Sequence, residues 1–235
     1  MLTAPLLAMA IALAPAPELK SIDTILGKGA TATKGDVVTV NYRGNLLDAT
    51  VFDETKGKPP FSFVLGKGEV IKGWDEGVVG MKVGGKRVLS LPPEFGYGDQ
   101  AVGPIPAKST LIFEVELLRV DRQGAQPMIE IEELAPGTGD GAKAGDTLEV
   151  HYTGTFVNGQ KFDSSRDRNQ TFKVVLGKTG IIKGFELGLT GMKEGGRRKV
   201  TIPYALAYGE EGRPPVIPPR SALVFDLEVV KITKG

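Results

Sequence analysis

The stretch from Leu65 to Arg87, LGKGEVIKGWDEGVVGMKVGGKR, is written a second time from Leu176 to Arg198, LGKTGIIKGFELGLTGMKEGGRR, with 13 of 23 positions identical. A chain that repeats itself in this way must fold into something that can be built twice. Registered end to end, the copies keep a nearly constant offset: Tyr42 with Tyr152 and Asp53 with Asp163 at 110, Leu65 with Leu176 and Tyr97 with Tyr208 at 111, Phe113 with Phe225 at 112. The offset changes only in two polar or Gly/Pro-rich stretches, where loops tolerate insertion. The 235 residues therefore read as two domains of about 100 to 115 residues each. They span 18–121 and 128–235, joined by a polar linker at 122–127.

Within the repeated stretch, Val70, Trp74 and Val78 recur at a spacing of four, while Gly73, Gly77 and Gly80 are poor helix formers. The helix is expected to be short. A glycine inside a helix costs about 1 kcal/mol against alanine, so Gly77 and its counterpart Gly188 imply that something, a sheet, lies close against the helix backbone. Gly80 and Gly191 sit where a left-handed cap ends the helix, and Gly84-Gly85 and Gly195-Gly196 turn into the next strand. Trp74 in one copy and Phe185 in the other then form the floor of whatever the sheet encloses.

Elsewhere the apolar residues alternate. Val38, Val40 and Tyr42, then Leu111, Phe113, Val115 and Leu117, are spaced by polar residues, as are Leu148, Val150 and Tyr152, then Leu223, Phe225, Leu227 and Val229. Such alternation implies one dry and one wet face, with Thr39, Asn41 and Arg43 on the wet one. Further strands are predicted at 20–26, 61–65 and 86–91, with counterparts at 128–134, 172–176 and 197–202. An antiparallel sheet with its dry face on one short helix satisfies both periodicities, and each domain is α+β.

Composition removes several function classes. A net charge of +1 divides into 13 Lys/Arg and 14 Asp/Glu over 18–121 and 16 and 14 over 122–235, which argues against nucleic acid as a partner. Zero cysteines exclude disulfides and thiolate zinc sites, and the single histidine, His151, excludes two-histidine zinc sites and any histidine triad shared by the copies. No metal or cofactor is expected, and no phosphate-binding glycine pattern follows a strand. His151 reads as an ordinary strand residue on the outer face. The Lys/Arg clusters at 82–87 and 193–199 read as solvated surface. The apolar run Leu2–Ala14 is too short to span a membrane and has the length of a signal-peptide core, so residues 1–17 read as an export signal, with a disordered tail on a cytoplasmic protein as the alternative.

The strings VHYTG, KFDSSRDRNQTF, VLGKTGIIKGFELGLTGM, YALAYGEEGRPPVIPP and LVFDLEVVKI resemble the FKBP family of peptidyl-prolyl cis-trans isomerases, the immunophilins that bind tacrolimus and rapamycin. Both copies carry the motifs in the family's order. The resemblance implies two FKBP-like domains, each an antiparallel half-barrel sheet around a short helix with an apolar pocket between them. It also implies isomerase activity on proline-containing polypeptides, with macrolides as inhibitors. The second copy matches the family pocket at Tyr152, Phe162, Asp163, Arg168, Phe172, Ile181, Ile182, Tyr208, Val216, Ile217 and Phe225. It departs at Phe185, where tryptophan is usual, and at Gly180, where Glu or Gln is common. The first copy keeps Tyr42, Phe52, Asp53, Phe61, Glu69, Val70, Ile71, Trp74, Tyr97, Ile105 and Phe113, but its loop after Asp53 is one residue shorter and holds no arginine, and PIPA replaces VIPP.

The residues fit that chemistry independently. Twisting an X-Pro bond needs no nucleophile, only a dry aromatic pocket and donors that hold the substrate carbonyl. Tyr97 or Tyr208 and the N–H of Ile71 or Ile182 are the expected donors, with Asp53 or Asp163 orienting the pocket through hydrogen bonds. The alternative is a module that binds proline segments or client chains without turnover.

Overall fold

The computed structural model of the protein describes residues 17–178 and 180–235. The signal-like segment, apart from its last residue, lies outside them. The first half contains β1 (Lys20–Ile25), β2 (Val37–Asn45), β3 (Val51–Glu54), β4 (Phe61–Val64), α1 (Lys72–Gly77), β5 (Lys86–Leu91) and β6 (Leu111–Asp121). The second repeats the order with β7 (Glu130–Ala135), β8 (Thr147–Phe156), β9 (Lys161–Ser164), β10 (Phe172–Val175), α2 (Lys183–Leu189), β11 (Arg197–Ile202) and β12 (Leu223–Thr233).

Each half is one six-stranded sheet, ordered β1-β5-β6-β2-β3 with β4 also on β2, and β7-β11-β12-β8-β10 with β9 also on β8. Every pairing is antiparallel. The α+β reading holds, and the expected strands are present with ends shifted by at most two residues. Strands β3 and β9 have no counterpart in the sequence reading. They form because β2 and β8 are long enough to carry two partners in succession along one edge: β4 pairs with Val37–Val40, and β3 with Arg43–Asn45 across a bulge. A bulge of this kind bends its strand and increases the local twist.

Each sheet encloses its own hydrophobic cluster. In the first, Val38, Val40, Leu89, Leu91, Leu111, Phe113, Val115 and Leu117 face Trp74 and Val78; in the second, Leu148, Val150, Val200, Ile202, Leu223, Phe225, Leu227 and Val229 face Phe185 and Leu189. The helix starts after Val70, later than its spacing with Trp74 suggests, so Val70 belongs to the lead-in.

The helix glycines have the steric reason expected of them. A Cβ on Gly73 would meet Leu91 Cδ1 at 2.5 Å, and one on Gly77 would meet Leu89 Cδ2 at 2.8 Å. At Gly184 the nearest atom would be Ile202 Cγ2 at 2.2 Å, and at Gly188 Val200 Cγ2 at 3.0 Å. Gly80 and Gly191 hold φ of +81° and +77° but do not cap the helices as expected: α1 ends at Val78 in the right-handed conformation and α2 at an extended Thr190, and the glycines make the turns that follow.

Two expectations about the surface are corrected. Arg87 and Arg198 do not lie in solvent with their neighbours: their side chains are only 13% and 11% exposed. Arg87 Nη1 donates to the carbonyls of Gly77 and Val79 at 2.8 and 3.0 Å, and Arg198 Nη1 to those of Gly188 and Thr190 at 2.8 and 3.1 Å. Asp23 and Glu133 on the edge strands balance the charge. A helix of six or seven residues leaves most of its C-terminal carbonyls without intrahelical donors, and a buried cation there satisfies them and opposes the helix dipole. Thr39, expected on the wet face, is 1% exposed. Its hydroxyl bonds Ser62 (2.9 Å), and its cross-strand neighbour Arg119 lies flat on this face, pairing with Asp121 and, across the junction, Glu130, both at 2.9 Å.

Arg122 is tied to the first half. It donates to the buried Asp36 carboxylate (2.6 Å), the Thr33 hydroxyl (2.7 Å) and the Thr31 carbonyl (2.9 Å). We propose that the halves are separate folding units with their boundary between Gln123 and Gln126. Cleaving there should leave two fragments that each unfold cooperatively, whereas ending the first fragment before Arg122 should lower its stability by about 1–3 kcal/mol, because Asp36 loses charged donors. Denaturant titration of the fragments checks this, and two non-cooperative fragments would refute it. In the full chain Arg198→Met should cost about 1–3 kcal/mol, because buried carbonyls lose their donors; a midpoint unchanged in urea would show that the arginine only lies over the helix end.

Candidate functional site

Strand β2 brings Tyr42, β3 brings Phe52 and Asp53, β4 brings Phe61, and β6 brings Phe113. The chain entering α1 brings Glu69, Val70 and Ile71, the helix Trp74, and the β5–β6 loop Tyr97 and Ile105. All line one cavity of about 520 Å³, so every first-copy residue named from the sequence converges there. Val102, Gly103 and Pro104 complete the lining. They were missed because this loop differs between the copies, and the search for shared positions passes over it.

The floor is a set of rings packed edge to face. Trp74, 4% exposed, meets Tyr42 at 4.9 Å and Phe113 at 5.2 Å between centroids, with interplanar angles of 83° and 87°. In the second half Phe185, also 4% exposed, meets Tyr152 at 5.7 Å and Phe225 at 5.1 Å in the same arrangement. Phe52 and Phe162 form a wall against Phe113 and Phe225, at 5.4 and 5.7 Å. A strand glycine makes room for each: a Cβ on Gly44 would sit 2.6 Å from the Phe52 ring and 2.8 Å from Phe113, and one on Gly154 would sit 2.6 Å from Phe162 and 2.9 Å from Phe225. Phe172 closes the second set against Tyr152 at 5.8 Å. Ile181, Ile182 and Tyr208 pack at its edge, and Ile217 is buried. Val216 is 51% exposed and stands on the outer rim.

The two aspartates orient tyrosines. Tyr42 donates its hydroxyl to Asp53, and Tyr152 donates to Asp163 at 2.5 Å. In the second half Arg168 completes a triangle, donating to Asp163 at 2.5 Å and to the Tyr152 oxygen at 2.9 Å. The first half, read as lacking an arginine here, has a cation all the same: Lys58, at the register of Arg168, reaches Asp53 at 3.2 Å. Lys58 stands 110 positions before Arg168, the offset that relates Asp53 to Asp163, and that spacing is the sequence signal for it.

These bonds fix protonation. Burial pushes Asp53 and Asp163 up, but the donors, Tyr42 and Lys58 on one and Arg168 and Tyr152 on the other, outweigh it and hold both below the ordinary 3.8. Burial, reinforced by the carboxylate, raises Tyr42 and Tyr152 above the ordinary 10.0, with Arg168 opposing at Tyr152. At the lip, neither the Ile71 nor the Ile182 N–H, each at the residue before its helix, has an acceptor among the described residues. The arrangement can grip a small ring in an apolar cup and offer free donors to a carbonyl. His151 lies on the far face of the second sheet, opposite Glu228, with Nδ1 3.1 Å from Ser165 Oγ, and takes no part. Among the described residues no group of three or more His, Asp or Glu could hold a metal ion, and no helix is long and apolar enough to cross a membrane.

The family model for FKBP-type peptidyl-prolyl cis-trans isomerases matches residues 28–118 and again 139–230, one match to each sheet and its pocket. The chain belongs to this family. It is 40% identical over 197 residues to the peptidyl-prolyl cis-trans isomerase FKBP10 of Bos taurus and 34% identical over 202 residues to FKBP9 of Homo sapiens, covering 83% and 86% of this chain. It spans about a third of the length of these curated relatives, 34% and 35%. Among solved structures, FkpA from Escherichia coli is 45% identical over 44% of this chain and 48% of its own, with a TM-score of 0.41.

The protonation argument gives a pH window. A carboxylate with a depressed folded value stabilises the protein above its unfolded value and loses that contribution as pH falls through the folded one. A phenol with a raised folded value stabilises below its unfolded value and loses that contribution as pH rises through the folded one. The tyrosine–aspartate pair is therefore intact across the neutral range. On the proposed function, binding of a macrolide, read through the fluorescence of Trp74, should be flat between the ordinary carboxylate and phenol values, about pH 4 to about pH 10. It should weaken only as pH falls through the depressed aspartate value or rises through the raised tyrosine value. A titration near pH 6.5 would overturn the assignment of these pairs.

Proposed function

We propose that both halves bind proline-containing segments and accelerate rotation about the X-Pro bond. The supporting observation is the duplicated cup: an aromatic floor 4% exposed, a tyrosine fixed by an aspartate, and an unpaired backbone N–H at the lip. The X-Pro amide resists rotation because resonance gives it double-bond character, with a barrier of about 18–20 kcal/mol. The planar form is the more dipolar, and water favours it. Moving the amide onto Trp74 or Phe185 replaces that water with rings, so the twisted form becomes relatively cheaper. The proline ring fills the cup, while the Ile71 or Ile182 N–H and the Tyr97 or Tyr208 hydroxyl hold the neighbouring carbonyls. Asp53 and Asp163 act through Tyr42 and Tyr152, holding these rings edge-on to the floor, and are positioning residues. Export through residues 1–17 is part of this reading.

The second pocket should be the faster on short peptides. Its Arg168 pins both Asp163 and Tyr152, whereas Lys58 reaches only Asp53, and Phe185 keeps an apolar aromatic floor. In a protease-coupled assay on the full chain, Asp163→Val should remove the larger share of turnover and Asp53→Val the smaller. Combining the two should bring the rate to about the uncatalysed level. Binding of proline peptides without turnover in the unsubstituted chain would instead establish a binding module, and a larger loss with Asp53→Val would reverse the ranking.

A further inference from the structure

The first pocket borrows a residue from the second half. Glu69 lines its lip, and the Glu69 carboxylate accepts the Val64 N–H at 3.0 Å and Arg220 Nη1 at 2.6 Å, across the junction between the halves. Arg220 is held firmly for a surface residue: its side chain is 23% exposed, its Nε donates to Glu210, and its own N–H donates to the Gly209 carbonyl at 3.1 Å, beside Tyr208. Its counterpart in the repeat, Lys108, makes only a loose contact of 3.7 Å with Asp99, both side chains at least 75% exposed. The arrangement is not reciprocal. At the register of Glu69 the second half has Gly180, so the second lip carries no carboxylate to pair.

Resting on the reading of this cavity as a proline-peptide site, we propose that Arg220 determines the charge specificity of the first pocket. With Arg220 in place Glu69 is neutralised, and the lip tolerates an acidic residue beside the proline. Without it an unpaired carboxylate faces the peptide, repelling acidic neighbours and attracting basic ones. The groups sit at a partly solvated rim, where one charge contact shifts affinity modestly, by up to about fivefold, and weakens at high salt, so a ratio that compares opposite charges shifts somewhat more.

Trp74, the single tryptophan of the chain, reports occupancy of this pocket alone, so the test needs only the undivided chain. Acetylated, amidated Ala-Glu-Pro-Phe and Ala-Lys-Pro-Phe are titrated against Trp74 fluorescence in the unsubstituted chain, Arg220→Gln, Glu69→Gln and the double variant, each first checked for an unchanged thermal transition. Arg220→Gln should move the lysine-to-glutamate affinity ratio about three- to tenfold towards lysine. Glu69→Gln should erase that shift whether or not Arg220 is present, and about 1 M salt should suppress it. A Trp74 response in every variant with the ratio unchanged by Arg220→Gln overturns the assignment of Arg220 and leaves the pocket standing. No Trp74 response to either peptide or to a macrolide in the unsubstituted chain overturns the pocket, and with it this proposal.

Discussion

The distance between a very short helix and the sheet it lies on governs the rest of this fold. At Gly73, Gly77 and Gly184 there is no room for a methyl group, so the backbone itself rests on leucine and isoleucine side chains. That closeness places Trp74 and Phe185 at the bottom of a concave surface instead of above it, and the walls then need only one ring each to close a cup. A helix of this length is barely stable alone. Its ends are held from outside, by Arg87 or Arg198 at the C-terminal carbonyls, and Asp75 and Glu186 draw the preceding loops in by accepting the N–H groups of Gly66, Gly68 and Gly177. The pocket is thus a by-product of how the core is packed, and changes that loosen the helix enlarge or empty it.

Duplication has kept the parts that make the cup and relaxed the parts that dress it. The glycines under the helix, the strand glycine behind the wall rings and the tyrosine–aspartate pair recur in both halves. The identity of the cation beside the aspartate, the identity of the floor ring and the β5–β6 and β11–β12 loops do not. The recurring elements set the shape of the cup and the differing ones its floor and rim, so on the proposed function the halves can differ in which neighbours of proline they accept.

Much of this was legible in the sequence, for identifiable reasons. Period-two runs such as Leu111–Leu117 and a helix crowded with glycine leave little choice of architecture, and the residues shared at constant offset were the ones that met in the cavity. What escaped notice depended on context. Strands β3 and β9 carry no alternation of their own and exist because a longer strand offers them an edge. Arg87 and Arg198 look like members of surface clusters, and only the orphan carbonyls of a helix in another part of the chain pull them inside. Thr39 is buried beside its cross-strand neighbour Arg119, whose side chain is held on that face by Asp121 and Glu130, a pairing that no local pattern records. Glu69 and Arg220 are 151 positions apart, and nothing in either copy alone suggests the meeting.

The anchored junction has a consequence for long substrates. Arg119 and Arg122 both stand at the end of the first half, Arg122 bound to Asp36 and Arg119 reaching across to Glu130, so the connection between the halves starts from an anchored point and not from a free tether. On the proposed function, a polypeptide released from one cup while still near the other meets it at an effective concentration set by the distance between them. For a chain rich in prolines, successive encounters become intramolecular. On the proposed function, the advantage of two cups over one grows with the number of prolines in the client and vanishes for a tetrapeptide.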